Sequence, residues 1–331
     1  MSFPLKSAAK STVTACMRYA PARMAAAMTG ARLVAPVYHA VTDKWPLYLR
    51  GAPGIKNVAE FEADLDWLLQ HFNPIGLDVL IDAARTGKTL PSRALFLSFD
   101  DGHRELADVV APILEQKGVP ATFFLCTSLL DNRAWFFEDQ ARFVCDRLKH
   151  ADGANQKRCA SIARDNGLDL QQLPLIRVNR PKLFEALGTA LDIDWAAELT
   201  AHCPYVTKPT VRALLEKGFH IGAHGVDHSL YKDLSPAERL QQTEQSLQIL
   251  AHQFKLDYRA LSFPYGEFGL PPAFFDQILD TRLVDIGFGT RGLIPDERGS
   301  RMIQCPDQRP LGAAACTSRA GGKSGATPDR Q

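Results

Sequence analysis

The run Ala94-Leu95-Phe96-Leu97-Ser98-Phe99 is apolar for the length of one strand and stops abruptly at Asp100-Asp101-Gly102-His103. A short apolar run bounded in this way reads as a buried strand, and a helical pattern follows it. In a sheet covered on both faces, the carboxyl ends of the strands open onto the ligand site. Two adjacent aspartates at such an end repel each other and lose hydration, so a cation or a shared proton is expected beside them. The local alternative is a helix cap at either aspartate, with Gly102 easing the turn.

The same alternation of strand and helix extends in both directions. Leu33 to His39 reads as a strand, and Val58 to Phe72 as a helix with Phe61, Leu65, Leu68 and Leu69 on one face. A short strand over Asn73 to Leu77 and a helix over Asp78 to Arg85, closed by Gly87, precede the Asp-Asp strand. Arg104 to Lys117 then reads as a helix ended by Gly118, followed by a strand over Thr122 to Cys126. Repeated strand–helix units are the mark of a parallel sheet or barrel.

The alternation lapses between about residues 130 and 207, which read as a mainly helical insertion over the strand ends. Trp135 within it has two readings: a surface on which a sugar ring stacks, or an anchor in the insertion's own small core. Order returns with a helix over Thr210 to Lys217 and a strand ending in His224-Gly225-Val226-Asp227-His228. Ser235-Pro236-Ala237-Glu238 combines an N-cap, a first-turn proline and an acid three residues on, and starts a helix running to about Phe254. A further strand enters the turn Phe263-Pro264-Tyr265-Gly266. A helix from Pro271 to about Leu279 and a last barrel strand over Leu283 to Gly289 complete the pattern.

Two histidines four apart can converge on one metal from a tight loop, and with one carboxylate they leave coordination positions open for water and substrate. In order and spacing, the three strand ends resemble the motifs of the polysaccharide deacetylase family, the NodB-homology or carbohydrate esterase family 4 domain. Ser98-Phe99-Asp100-Asp101-Gly102 is similar to its first motif, His224-x-x-x-His228 to its second and Phe263-Pro264-Tyr265-Gly266 to its third, and the likeness spans about residues 33 to 290. The resemblance implies an α/β fold, a distorted (β/α)7 barrel. It implies a metal-dependent hydrolase that removes acetyl groups from an N-acetylated glycan, O-acetyl being the lesser alternative. Asp101, His224 and His228 would hold a divalent metal, with zinc expected. Asp100 would be the general base toward water, and the Tyr265 backbone N–H, in the turn with Pro264, would face the oxyanion.

Three positions depart from that pattern. Gly225 stands where the family has a loop-bracing hydroxyl, and Ser262-Phe263 where an Arg often orients the base. The family's C-terminal Leu-x-His, which carries its general acid, has no counterpart, since the last histidine is His252. His39, at the end of the first strand, is the candidate to replace it; the other reading is an ordinary strand-end histidine. The missing residue keeps a catalytically inactive carbohydrate-binding barrel open as a rival. A non-deacetylase metal enzyme on the same ligands, such as one using Fe(II), is the other, though an adjacent base like Asp100 disfavours it.

A formal charge of +1 and the lack of a basic stripe interleaved with aromatics give no pull toward nucleic acid. Seven cysteines, odd in number and without C-x-x-C spacing, predict reduced thiols and a cytoplasmic setting. Residues 1–32 form a basic segment with no signal-peptide core and no spanning stretch. The segment reads as a helix packed under the barrel, or as a basic amphipathic helix giving peripheral membrane contact. The barrel is expected over residues 33–311, with residues 312–331 a disordered tail rich in Ala, Gly, Ser and Thr.

Overall fold

All pairing between strands is parallel in the computed structural model, which describes residues 33–290 and 302–304. In chain order the elements are β1 (Leu33–Val34), β2 (Val37–Tyr38), α1 (Val58–His71), β3 (Asn73–Ile75), α2 (Leu77–Thr86), β4 (Ala94–Phe96) and β5 (Ser98–Phe99). Next come α3 (Ala111–Lys117), β6 (Thr122–Leu125), α4 (Phe137–His150), α5 (Gly153–Asp165), α6 (Pro181–Ala190) and α7 (Trp195–His202). The chain continues through α8 (Lys208–Glu216), β7 (His220–Ala223), α9 (Pro236–Phe254), β8 (Ala260–Ser262), α10 (Pro272–Asp280), β9 (Ile286–Gly289) and β10 (Met302–Gln304). The strands form one sheet in the order β10-β9-β8-β7-β6-β5-β2 and a smaller one in the order β1-β4-β3. Curled together and covered by helices, they make a distorted (β/α) barrel.

The expected strands over Leu33–His39 and Ala94–Phe99 are each divided. Pro36 interrupts the first and Leu97 the second, so that one half pairs in the small sheet and the other in the large one. Proline lacks the N–H that a continuous ladder needs, and the Pro36 carbonyl instead accepts from Ser98 N at 3.3 Å. Proline also explains the departure from a plain helix over Arg104–Lys117. Pro112 cannot donate to the turn before it, and Leu106–Val110 widens into a π turn ahead of α3. The Leu283–Gly289 strand is not the last among the described residues: β10 pairs outside β9. Three residues surrounded by polar sequence carry too little periodicity to be read as a strand.

Local signals set the helix limits. Asn57 and Ser235 form capping boxes with Glu60 and Glu238, and Gly87 and Gly118 close α2 and α3 in the left-handed conformation. The main core lies between the large sheet and its helices. Phe99, Phe123, Ile221, Leu261 and Phe263 meet Leu65, Leu114, Leu247 and Phe275 there, all buried. Each such side chain stabilises the fold by roughly 1.5–3 kcal/mol on leaving water. Helices α4 to α7 have a core of their own, in which Phe136, Phe137, Phe143, Phe184 and Tyr205 pack onto Ala40, Tyr48 and Leu49 of the loop after β2. That contact seats the helical segment over the carboxyl ends of the strands.

Readings of residues 1–32 and 312–331 lie outside the described residues. Among those described, no helix is long and apolar enough to cross a membrane, and Cys126, Cys145, Cys159 and Cys203 are free thiols.

Gly222 tests how closely the barrel packs. A Cβ there would lie 2.4 Å from two carbons of the buried Phe124 ring and 3.1 Å from the Ala260 carbonyl oxygen. Gly222→Ala should therefore destabilise the fold by about 1–3 kcal/mol, as overpacking does. A urea midpoint equal to that of the parent would show that β6, β7 and β8 are not packed this tightly.

Candidate active site

Because β5, β6, β7 and β8 are parallel neighbours, the residues that follow them emerge at one edge. Asp100 and Asp101 leave β5 through consecutive positive-φ residues, Asp101 at 76° and Gly102 at 89°. The turn needs a glycine at its second position, since a Cβ on Gly102 would also press on Leu125 at 3.2 Å. His224 follows β7 directly, and His228 comes off the next turn with φ 64°. Ligand atoms of Asp101, His224 and His228, all buried, lie within 4.8 Å of one another.

Hydrogen bonds orient each group. His224 Nδ1 donates to the Ser262 carbonyl at 2.9 Å, which leaves Nε2 unprotonated and turned toward the carboxylates, 3.6 Å from Asp100 Oδ2 and 3.7 Å from Asp101 Oδ1. Burial, with the neighbouring His228 adding to it, pushes the His224 pKa down to about 3, so this imidazole is neutral at ordinary pH. His228 Nε2 stands 3.3 Å from Asp101 Oδ1. Burial works to raise the Asp101 pKa, but the His228 and His39 imidazoles outweigh it and hold the carboxyl well below its usual range. Ser262 Oγ donates to Asp100 Oδ2 at 3.1 Å. Ser262 thus steadies Asp100 where the family pattern has an arginine.

The loop between the two histidines is braced from outside. Gln242 on α9 accepts from Val226 N at 2.7 Å and donates to Asp227 Oδ1 at 2.9 Å. A carboxamide from a distant helix does the work expected of a hydroxyl at Gly225. Pro264 lies against this loop, its Cγ 3.6 Å from where a Gly225 Cβ would be. Tyr265, at φ 58°, sets its ring edge-on to His228 with centroids 4.6 Å apart.

Helix α4 adds a carboxylate that the sequence reading missed. Glu138 accepts from the Tyr265 hydroxyl and from Arg142 Nη2, the latter at 2.9 Å, and its Oε1 is 4.0 Å from His228 Nδ1. Burial opposes its charge, yet Arg142 and His228 keep its pKa below the ordinary carboxylate value. Next to it, Asp139 accepts from Arg142 at 2.7 Å, from Tyr205 Oη at 2.7 Å and from His103 Nε2 at 3.1 Å. The sequence did hold a signal: Glu138, Asp139 and Arg142 have the three- and four-residue spacing of ion pairs on one helix face. That their face is turned inward was not visible.

His39 is buried and joins Asp101, His103, Glu138, Arg142 and His228 around a cavity of about 20 Å³, room for roughly one water-sized group. Of the residues singled out from sequence, Asp100, Asp101, His224, His228, His39, Pro264 and Tyr265 are therefore gathered at one place. Trp135 is not, and the sugar-stacking reading is corrected. Its Nε1 donates to the Trp195 carbonyl at 2.7 Å and its ring packs edge-on against Phe143, Trp195 and Tyr205. An indole is more stable with its N–H satisfied inside an aromatic core than on a wet rim.

A parallel barrel with paired aspartates and paired imidazoles at its carboxyl edge defines a class of hydrolytic scaffold. The family profile described as polysaccharide deacetylase matches residues 87–270, more than half of the chain, and the protein belongs to that family. A poly-beta-1,6-N-acetyl-D-glucosamine N-deacetylase of Staphylococcus epidermidis is 34% identical over 101 residues, 28% of this chain and 35% of that protein. The chain thus matches about a third of that relative's length. Among solved structures, Streptococcus pyogenes deacetylase PplD in complex with acetate superposes with a TM-score of 0.55 at 14% identity, over 85% of this chain and 94% of the other. IcaB from Ammonifex degensii gives 0.51 at 18%, over 82% and 90%. Likeness at such identities shows a shared fold.

Arg142 is the cation between the buried Asp139 and the partly buried Glu138. Arg142→Met should lower stability by about 3–5 kcal/mol, because it leaves Glu138 and Asp139 without their counter-charge. Chemical denaturation measures this, and a loss below about 1 kcal/mol would mean the pair is solvated like a surface bridge.

Proposed function

We propose that this protein is a metal-dependent hydrolase that removes acetyl groups from an N-acetylated glycan. A glucosamine polymer of the kind named for its relatives is the substrate class. The observation that carries this reading is the convergence of Asp101, His224 and His228 with a second carboxylate, Asp100, beside them. The donor set suits a divalent cation: one buried carboxylate, one imidazole locked with Nε2 inward, and a second imidazole with Nε2 close to the same carboxylate oxygen. A bound cation, for which zinc is our expectation, would polarise the acetyl carbonyl and acidify the attacking water.

The chain's own groups supply the rest. Asp100, steadied by Ser262 Oγ, takes a proton from the attacking water at a carboxylate oxygen. The backbone N–H of Tyr265 donates to the oxygen that becomes negative as water adds to the carbonyl carbon. His39 gives its proton to the leaving nitrogen as the C–N bond breaks, and acetate and a free amine result. Its position around the same cavity as Asp101 and His228 supports this role. With an imidazole available there, the absent C-terminal histidine no longer favours an inactive carbohydrate-binding barrel. Asp100 beside the ligand set supports hydrolysis over oxygen chemistry, which needs no adjacent base.

Acetate release from a β-1,6-linked N-acetylglucosamine oligomer, with and without chelator, tests the proposal directly. Chelation should abolish release and zinc restore it; release indifferent to chelator would remove the metal from the mechanism. Asp100→Asn should abolish turnover while metal stoichiometry is retained, whereas His224→Ala should lose the metal. Turnover by the first variant at the parent's rate, or full metal content in the second, would refute the assignment. His39→Ala should slow release by ~10²–10⁴-fold, the usual scale of general acid catalysis. A rate within about twofold of the parent would leave His39 a structural residue.

A further inference from the structure

Tyr265 stands at a position that favours glycine. Gly266 N donates to the Phe263 carbonyl at 2.8 Å, which closes a four-residue turn over Phe263-Pro264-Tyr265-Gly266. Proline second and a left-handed residue third is the φ pattern of a type II turn, whose third position is usually Gly or Asn because a Cβ crowds the backbone there. Here that position carries a tyrosine at φ 58°. Such a conformation persists only where surrounding contacts hold it, and it gathers at functional sites. The contacts come from three sides. The Tyr265 hydroxyl donates to Glu138 Oε1, the Arg177 guanidinium lies 4.9 Å over the ring, and the His228 ring meets it edge-on at 4.6 Å. Glu138 is itself fixed from behind. Its Oε2 accepts from Arg142 Nη2 at 2.9 Å, and Arg142 Nη1 donates to Asp139 at 2.7 Å. All three belong to α4, which the buried Phe137 and Phe143 seat in the helical core.

We infer that Glu138 is a positioning residue for the oxyanion donor: by holding the Tyr265 hydroxyl it keeps the Tyr265 backbone left-handed and its N–H aimed at the acetyl oxygen. The inference rests on the deacetylase reading above, in which that N–H meets the developing negative charge. The Tyr265 carbonyl accepts from Thr290 Oγ1 at 3.4 Å, while the Tyr265 N–H has no backbone acceptor among the described residues and is left for substrate. A donor aimed in advance acts on the transition state far more than on bound substrate, because the carbonyl oxygen gains its charge only as water adds. Glu138 therefore acts on kcat and scarcely on KM. Its influence runs through Tyr265 and not through the imidazole beside it, since Oε1 is 4.0 Å from His228 Nδ1, too far for a hydrogen bond.

The test is acetate release by the metal-loaded full chain from a β-1,6-linked N-acetylglucosamine oligomer, with metal content and thermal unfolding measured on every variant. Tyr265→Phe keeps the ring and the N–H and loses only the hydroxyl. Its kcat should fall about 10- to 100-fold at full metal content, with KM within about twofold, a smaller loss than deleting an oxyanion donor outright. Glu138→Ala should lose as much, and the double variant no more than either alone, since both remove the same bond. Glu138→Gln keeps an acceptor for the hydroxyl and should recover most of the loss. Should Glu138→Ala fail to fold, Tyr265→Phe and Glu138→Gln decide the case. A Tyr265→Phe kcat within about twofold of the parent overturns the inference. So does additive loss in the double variant, or a Glu138→Gln as slow as Tyr265→Phe, either of which would trace the effect to the Glu138 charge near His228. Should the parent release no acetate, the deacetylase reading fails on its own account. The brace is then judged by hydrogen exchange of the peptide spanning Phe263 to Gly269: faster exchange in Tyr265→Phe than in the parent supports it, and equal exchange rejects it.

Discussion

Ser262 is the point on which the site turns. Its carbonyl accepts the Nδ1 proton of His224 and its hydroxyl donates to Asp100, so one residue at the end of β8 sets the tautomer of an imidazole and the direction of a carboxylate. It can do both only because β8 lies beside β7 and β7 beside β6 and β5, all with the same polarity. Parallel pairing brings together groups that are more than a hundred residues apart in the chain. The burial that follows raises the stakes, since carboxylates and imidazoles out of water are stable only when each is paired or hydrogen-bonded. A small change of register between β7 and β8 would disturb both bonds at once.

The helical segment between β6 and β7 shapes the site more than its polar sequence suggests. Arg142 neutralises Glu138 and Asp139, Glu138 holds the Tyr265 hydroxyl, and Asp139 ties His103 and Tyr205 into the same network. Buried ionic networks contribute little net stability compared with an apolar core. What this one contributes is position: it ties the first turn of α4 to the turn after β8, against the ring of His228.

Two departures from the family pattern are met by other side chains. Gln242 on α9 braces the loop that Gly225 leaves without a hydroxyl, and Ser262 steadies the aspartate that an arginine would otherwise orient. His39 follows β2, the edge strand beside β5, and shares the cavity with Asp101 and His228. Gln242 and Ser262 each supply a donor or acceptor at a point in space with a different side chain.

Outside the helical segment, the sequence alone determined the alternation of strands and helices, most helix limits and the residues at the strand ends. Those features rest on local forces: apolar runs, capping side chains, and glycines in left-handed turns. It also pointed to Asp101, His224 and His228 as a set, through the resemblance of three strand ends to the family's motifs. Only the tertiary structure decided that Trp135 faces inward, that Glu138 reaches Tyr265, that Gln242 braces a loop sixteen residues before it, and that β10 lies outside β9. The reason is that side-chain direction on a helix, and the partner across a gap, depend on how elements pack. Packing is settled by the whole core at once, and no short window of sequence contains it.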